Sequence, residues 1–309
     1  MKKFVILLLF AVGSIASCND NKDSILPDQP ERTALGTIKD KRLTEISGLV
    51  VSKKNEGIFW VHNDSGNESE IYGINQYGEI IGIIRFPEKE NLDWEDIAIG
   101  NGPEDNIDYI YIANTGDNLQ VRKIYNIIRL KEPAINLNSK EQVIENIDYD
   151  TINFKYPDGS HDCEALFVDN KSKDIYIITK RDTLVNLYLI SYPQLTGLNN
   201  INTAKFVTQT KLGFNRTKKT SSWICSADLS RDGNHLIVKS YDSIYYYKID
   251  SNLKYKLQEQ PQSLHYIPEP QGEAVAFSPD GKYYYTISEA GPMNIAPVIY
   301  RYNFVEPKK

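Results

Sequence analysis

Short apolar runs recur along the chain, each entered through a polar or acidic residue and left through a polar turn. The clearest is Gln271–Gly281, QGEAVAFSPDG, in which Ala274 to Phe277 form the apolar run and Ser-Pro-Asp-Gly the turn. Four earlier stretches follow the same pattern: Glu45–Asn55 (EISGLVVSKKN), Asp93–Gly102 (DWEDIAIGNG), Asp162–Ser172 (DCEALFVDNKS) and Trp223–Gly233 (WICSADLSRDG). Aromatic and β-branched runs bounded by polar residues follow each one and read as further strands. A unit of this kind repeated at roughly 45–70 residues is the signature of a β-propeller, an all-β fold.

Taken in order, blade one runs EISGLVVS, IFWVHND, EIYGINQ and EIIGIIRF. Blade two runs DWEDIAIG, YIYIANTG, IYNIIRLK and IDYDTINFKYP, with a long polar loop at Glu132–Gln142 before its last strand. Blade three runs DCEALFVD, DIYIITKR, NLYLISY and AKFVTQTKLGF. Blade four runs WICSADLS, HLIVKS, SIYYYKI and a weak fourth strand at Tyr255–Gln258 or Leu264–Ile267. Blade five runs GEAVAFS, YYYTISE and VIYRYNF, and there the chain ends one strand short. The spare strand TALGTIKD (33–40) lies before blade one, and adding it to the last blade closes the ring without leaving an open sheet edge. The expected architecture is a single propeller of five four-stranded blades. Six is the alternative if segments 132–160 or 196–222 hide a degenerate blade. No long helix is expected, and Glu141–Asn146 reads as a turn or two at most.

Composition agrees with one β-rich globular domain: the 309 residues are 41% hydrophobic and 25% charged, and strand-forming Tyr occurs 21 times. The net charge of −6 offers no basic field for nucleic acid. The first residues read as a processing segment. Lys2 and Lys3 precede an apolar run, Phe4 to Ala16, that is too short to span a bilayer comfortably. Ile15-Ala16-Ser17-Cys18 resembles a bacterial lipobox. That resemblance implies a signal peptide at 1–17, lipid on the Cys18 thiol and amine, and a membrane-anchored protein of the cell envelope. The polar, proline-bearing segment 18–32 is then a flexible tether to a monomeric propeller domain at 33–309. A plain secretory peptide cut near Ala16 is the alternative. Cys163 and Cys225 remain; an exported protein can pair cysteines, but these two are expected on different faces of their strands.

In a propeller the first strand of each blade lines the central channel, and the loops that enter it and leave the second strand open on one face. Aligned on their turns, the repeats bring Glu95, Glu164 and Glu273 into one position, with Ser47 and Cys225 in the other two blades. Two residues earlier stand Glu45, Asp93, Asp162, Trp223 and Gln271, and residues two apart on a strand share a face. The second-strand exits add His62-Asn63-Asp64, Asn114 with Asp117 and Asn118, Lys180-Arg181-Asp182, Lys239 with Asp242, and Glu289. The expected result is a ring of acids with a few bases around the channel mouth. Carboxylates this close need compensation where water is scarce. A calcium ion held by Glu95, Glu164 and Glu273 would supply it; so would pairing with Lys180, Arg181 and Lys239. A wet acidic funnel needs neither.

Other chemistry is sparse. None of His62, His161, His235 and His265 has zinc spacing with a Cys or another His. Alternation turns His161 and Cys163 away from Asp162 and Glu164, which argues against a Cys–His nucleophile. No Gly-x-Ser-x-Gly elbow and no phosphate-cradling loop occur. His62 is the best general acid–base candidate, with Glu95 and Glu164 as alternatives.

The turn FSPDGK (277–282) is similar to the blade turn of TolB-like and WD-repeat propellers. EISGL (45–49) with HNDSG (62–66) resembles the opening of the SdiA-regulated and phytase-like or esterase-like exported propellers, and DWEDIA (93–98) and NTGDN (114–118) resemble motifs of uncharacterised exported members of that group. The resemblance implies an exported propeller, calcium-associated in some members. The phosphate-binding bases and calcium acids of true phytase propellers find no position-by-position match. Two readings follow. One is a lipid-anchored binding module whose acidic face takes a ligand, a glycan or an envelope protein. The other is a calcium-dependent hydrolase of phosphate esters, acyl esters or lactones, with a carboxylate or His62 activating water.

Overall fold

A computed structural model describes residues 32–87, 89–181, 184–212 and 222–308. Segments 1–17 and 18–31, with the lipidation candidate Cys18, lie outside the described residues, as does Asp182. Strand β1 (Arg32–Thr37) comes first. Blade one holds β2 (Ile46–Val51), β3 (Ile58–Asn63), β4 (Glu70–Asn75) and β5 (Ile80–Arg85). Blade two holds β6 (Trp94–Asn101), β7 (Asp108–Asn114), β8 (Tyr125–Lys131), a short β9 (Gln142–Ile144) and β10 (Tyr149–Lys155). Blade three holds β11 (Cys163–Val168), β12 (Ile175–Thr179), β13 (Val185–Ile190), a short β14 (Ile201–Thr203) and β15 (Lys205–Thr210). Blade four holds β16 (Ile224–Leu229), β17 (His235–Ser240), β18 (Ile244–Lys248), helix α1 (Leu253–Gln258) and β19 (Gln262–Leu264). Blade five holds β20 (Gly272–Phe277), β21 (Tyr283–Ser288) and β22 (Val298–Asn303), and β1 pairs antiparallel with β22 as its fourth strand. The propeller has five blades, closed by the N-terminal strand as expected.

The core lies between blades rather than within one layer. Five apolar clusters fill the five interfaces: Trp60 and Ile71 meet Ile97 and Ile110 between blades one and two, and Tyr125 and Phe154 meet Leu166 and Tyr188 between two and three. Phe167 and Leu187 meet Leu229 and Val238 between three and four; Ile237 and Tyr246 meet Val275 and Tyr302 between four and five; Ala274 and Ile299 meet Leu49 and Phe59 across the closure. Inner strands are therefore buried on both faces, which is why they read as unbroken apolar runs. Full burial of each such side chain contributes about 1.5–3 kcal/mol.

The connections between third and fourth strands reach backward. In blade two this segment forms β9, which pairs in parallel with β5 of blade one; in blade three it forms β14, parallel to β10 of blade two. In blade four it forms α1, which packs with blade three: Leu253 and Leu257 join the cluster of Phe167 and Leu187. Residues 142–144 of the Glu141–Asn146 stretch are a strand, not the turn or two expected. Of the two places offered for the fourth strand of blade four, Tyr255–Gln258 is helical and the strand is β19, which reaches Leu264. The extra segments brace neighbouring blades, which rules out the six-bladed alternative. Asn252 caps the helix by accepting from the Lys254 N–H. Cys163 and Cys225 are both buried, and neither is in a disulfide. Tyr156 donates to the Cys163 Sγ at 2.9 Å, and burial pushes the Cys225 thiol up to about 12.

Candidate metal and ligand centre at the channel mouth

All five inner strands carry the same irregularity. The pairing of first with second strand skips one residue in every blade: Ser47, Glu95, Glu164, Cys225 and Glu273. These are the five positions that the repeats align, and each is a β-bulge. A bulge re-aims a side chain and ends regular pairing, which is what a channel mouth needs. Glu95 and Glu164 thereby converge with the entry residues Asp93 and Asp162: ligand oxygens of Asp64, Asp93 and Glu95 lie within 4.8 Å of one another, as do those of Glu95, Asp162 and Glu164. Glu95 belongs to both groups. Gly116, in the loop after β7, makes the approach feasible, because a methyl group there would overlap Glu95 Oε1 and the Asp93 carboxylate.

The second-strand exits supply the outer half of the ring. Backbone pairing sets Asn63, Asn114, Thr179, Ser240 and Ser288 opposite the entry of each first strand. The next residue in turn is Asp64, Thr115, Lys180, Tyr241 and Glu289. The N–H groups of Asp64, Lys180 and Glu289 donate to the carbonyls of Glu45, Asp162 and Gln271 at 2.8, 2.9 and 3.0 Å, so one motif places three charged side chains around the mouth. Lys180 bonds Glu164, and Arg181 bonds Asp162 and Asn118 while stacking 4.5 Å over Trp223. Tyr241 donates to Glu273 at 2.7 Å.

Seven carboxylates thus share the mouth: Asp64, Asp93, Glu95, Asp162, Glu164, Glu273 and Glu289. Lys180 and Arg181 neutralise two of them, and Arg122 stands near Asp93 with its donors on the Gly116 and Asn114 carbonyls. Burial, with Asp64 repulsion added, holds the Glu95 carboxyl well above the usual range. Burial likewise raises Asp64, Asp93 and Glu273. Glu289 is pushed up to about 8 by burial and by Glu273, to which it is hydrogen-bonded. Glu95 is 5% exposed, and among the described residues its carboxylate accepts no hydrogen bond, but its oxygens are not fully enclosed and so open to the channel. A carboxylate held there is met by water, a proton or a cation.

Not every expected residue reaches this centre. Lys239 sits one position before the exit and turns down between blades four and five. It donates to the carbonyls of Ser240 and Gly272 and lies 4.5 Å from the Tyr266 ring; Tyr241 holds the place expected of it. His62 occupies the matching place in blade one. It is fully enclosed against Gly48 and Trp94, and burial pushes it down to about 4, so it stands neutral and out of reach of a substrate in the mouth. Asn63 and Asn114 have framework roles, accepting from the Glu45 and Asp93 N–H groups. Asp117 takes three donors, from Val121 N, Arg122 N and Tyr125 OH; burial alone would raise its pKa, but these bonds hold it low. Glu45 lies at the exposed rim, bonded by Asn67, and Ser47 bonds the Trp94 carbonyl below the mouth. Of the three carboxylates expected to hold a metal together, Glu273 stands apart with Tyr241 and Glu289. The Ser230–Gly233 and Ser278–Gly281 turns join first to second strands on the opposite face and are built from their own Ser–Asp bonds.

Trp223 was placed at the mouth by the alignment of the repeats, but Tyr241 and Asp96 were not legible as site residues. Asp96 is fully buried one step below Glu95. Its carboxylate accepts from Ile97 N, Leu166 N, Ala227 N and Ser226 Oγ, linking blade two to blades three and four across the channel. Val275 N in turn donates to Ser226 Oγ, so this polar knot floors the mouth. Only its place in the apolar run of blade two, where the other repeats carry Gly, Ala or Ser, hinted at it.

No family model matches the sequence, and no curated protein matches it. Among solved structures, that of a luciferin-regenerating enzyme is similar with a TM-score of 0.47 and 12% identity, over 90% of this chain and 96% of that one.

Proposed function

We propose that this chain is an exported, lipid-anchored five-bladed propeller that binds its ligand through the acidic channel mouth, with a hard divalent cation of calcium's kind held by Asp64, Asp93 and Glu95. The observation that carries the reading is Glu95, which belongs to two groups of three carboxylates whose oxygens lie within 4.8 Å of one another and which no protein donor bonds among the described residues. Oxygen-only donors of full negative charge suit calcium rather than a softer metal. The lipobox-like Ile15–Cys18 supports anchorage to the envelope through Cys18, with residues 1–17 removed and 18–32 as the tether, and the HNDSG and DWEDIA motifs support a place among the exported phytase-like propellers.

Thermal unfolding of the purified protein tests this, first with EDTA and then with millimolar calcium. A ligand at a hundred times its dissociation constant stabilises by about 2.7 kcal/mol. At roughly 2–4 °C per kcal/mol for a large domain, the midpoint rises by several degrees. Glu95→Gln should abolish the rise. No shift with calcium or magnesium would sink the metal reading.

A hydrolytic role is the second reading. The observation favouring it is that Glu95, a carboxyl of raised pKa, adjoins both Lys180 and the Asp162–Glu164 group. Such a carboxylate can accept a proton from water while Lys180 and Arg181 face an oxyanion. Turnover of a phosphate ester, acyl ester or lactone that disappears in both Glu95→Gln and Glu164→Gln would establish it over simple binding.

A further inference from the structure

The loops that frame the mouth carry large apolar side chains in the open. Leu92, which precedes Asp93, is 55% exposed; Leu119, which follows the Asn118 bonded to Arg181, is 81% exposed; Met293, at the tip of the loop after Glu289, is 72% exposed. They come from the entry of blade two and the second-strand exits of blades two and five, so they stand on one face around one acidic centre. Val121 and Ile295, both exposed, widen the two patches on the exits. The loop that bears Met293 is held rather than trailing: Ala290 N bonds the Thr44 carbonyl, Ile295 N the Ala290 carbonyl and Asn294 N the Gly291 carbonyl, all at 2.8–2.9 Å. Apolar residues displayed on a braced rim, with a charged centre inside it, form the pattern of a protein-binding face.

Charge decides what fits there. The mouth holds seven carboxylates against three cationic side chains among the described residues, so one divalent ion leaves it still negative. The Glu273–Glu289 pair, on the blade-five side, is bonded within itself and to Tyr241 and Gln271, and no cationic side chain bonds it among the described residues. An anionic partner is repelled, whereas a cationic group bonds the pair in place of the proton that Glu289 holds. We infer that this face docks a protein loop presenting a lysine or arginine between apolar side chains, the cationic group entering beside Glu273 and Glu289 and the flanking residues packing on Leu92, Leu119 and Met293. The inference rests on the reading of the mouth as a binding face, but not on the metal.

A phage-displayed library of disulfide-constrained random seven-residue loops, selected against the purified protein, reads the recognised chemistry directly. The expected enrichment is a Lys or Arg with Leu, Ile, Phe or Tyr beside it. A synthetic copy of the selected loop should bind in EDTA as well as in calcium. Its affinity should fall at least tenfold on the Glu273→Gln/Glu289→Gln double variant and on the surface variants Leu119→Ser and Met293→Ser. Failure to enrich any loop, enrichment without a basic residue, or undiminished binding to those variants would overturn the inference. Binding that EDTA abolishes would overturn it too, while leaving the metal-centred reading intact. Binding that persists in a protein whose unfolding ignores calcium would support it while removing the metal.

Discussion

Gly116 has no side chain to spare because two carboxylates fill the space that one would take. Its backbone lies outside the left-handed region, so alanine is conformationally acceptable there, and the overlap falls on the ends of Glu95 and Asp93. Gly116→Ala should therefore cost little stability, about 1 kcal/mol for a tight but yielding contact, yet weaken calcium at least tenfold by parting two ligands. A calcium titration followed by the unfolding midpoint checks this, and an unchanged affinity would place the ion elsewhere. Asp96 makes the opposite case. Asp96→Ala strands three backbone N–H groups and a hydroxyl in the floor of the channel, each costing about 1–3 kcal/mol when unpaired. After partial relaxation we expect a net loss of about 3–5 kcal/mol, a fall in the midpoint on the order of 10 °C. A loss below 1 kcal/mol would mean that the knot is not a structural tie. The two residues also mark how far the sequence could be read. Glu95 stands out because three repeats place a glutamate at one register position. Asp96, one residue on, breaks an apolar run in a single blade, and nothing local says that its four donors come from three strands.

At the level of elements, the inner strands were readable because interfaces on both sides impose an unbroken apolar run, and the closing strand because blade five ends one strand short. The bulges were not readable. Counting residues from the turns aligns Glu95, Glu164 and Glu273 correctly but takes Lys239 for a channel residue, since an extra residue in each first strand shifts what lies opposite; Tyr241 is the true exit of blade four. The backward braces were equally hidden, because three-residue parallel pairings such as β9 on β5 leave no periodic trace. Blade one has the shortest brace, the turn at Tyr77 and Gly78, and it lies against the closing strand. A methyl group on Gly36 of β1 would run into the Tyr77 carbonyl and the Gly78 N–H, and one on Gly78, at φ +82°, would meet the Thr37 carbonyl. Gly36→Val should thus pry β1 from the turn and cost at least the 1–3 kcal/mol typical of overpacking. Removing residues 1–37 altogether should bare the β22 edge and produce concentration-dependent light scattering. A truncated chain that stays monomeric with an unchanged midpoint would show that β1 is not the closure.

For the whole molecule, the acidic mouth makes stability, pH and metal one linked quantity, because its carboxylates come from blades one, two, three and five and repel across their interfaces. Glu289 sits at about 8 against an ordinary 4.5, so the folded protein holds a proton there that the unfolded chain has already released. Where the native state binds more protons, stability falls as pH rises. Without metal, this carboxyl costs stability as pH rises from about 4.5 to 8. His62 acts at the other end: at about 4 against an ordinary 6.5, it stays neutral in the fold while the unfolded chain takes up a proton, so stability is lost as pH falls through that interval. The two contributions cancel between about pH 4.5 and 6.5, so together they leave the EDTA-treated protein losing stability from about pH 6.5 to 8. Asp228, pushed up to about 7 by burial, adds a loss as pH rises from about 4 to 7 whether or not a metal is present. Calcium needs its ligands deprotonated, so it competes with protons for Asp64, Asp93 and Glu95. The rise in midpoint on adding calcium should then be larger at pH 8 than at pH 6, and Glu289→Gln should flatten the metal-free alkaline limb without removing the calcium response. A calcium effect that is equal at both pH values, or larger at pH 6, would mean that the ion does not displace protons from this mouth and that its carboxylates are compensated in some other way.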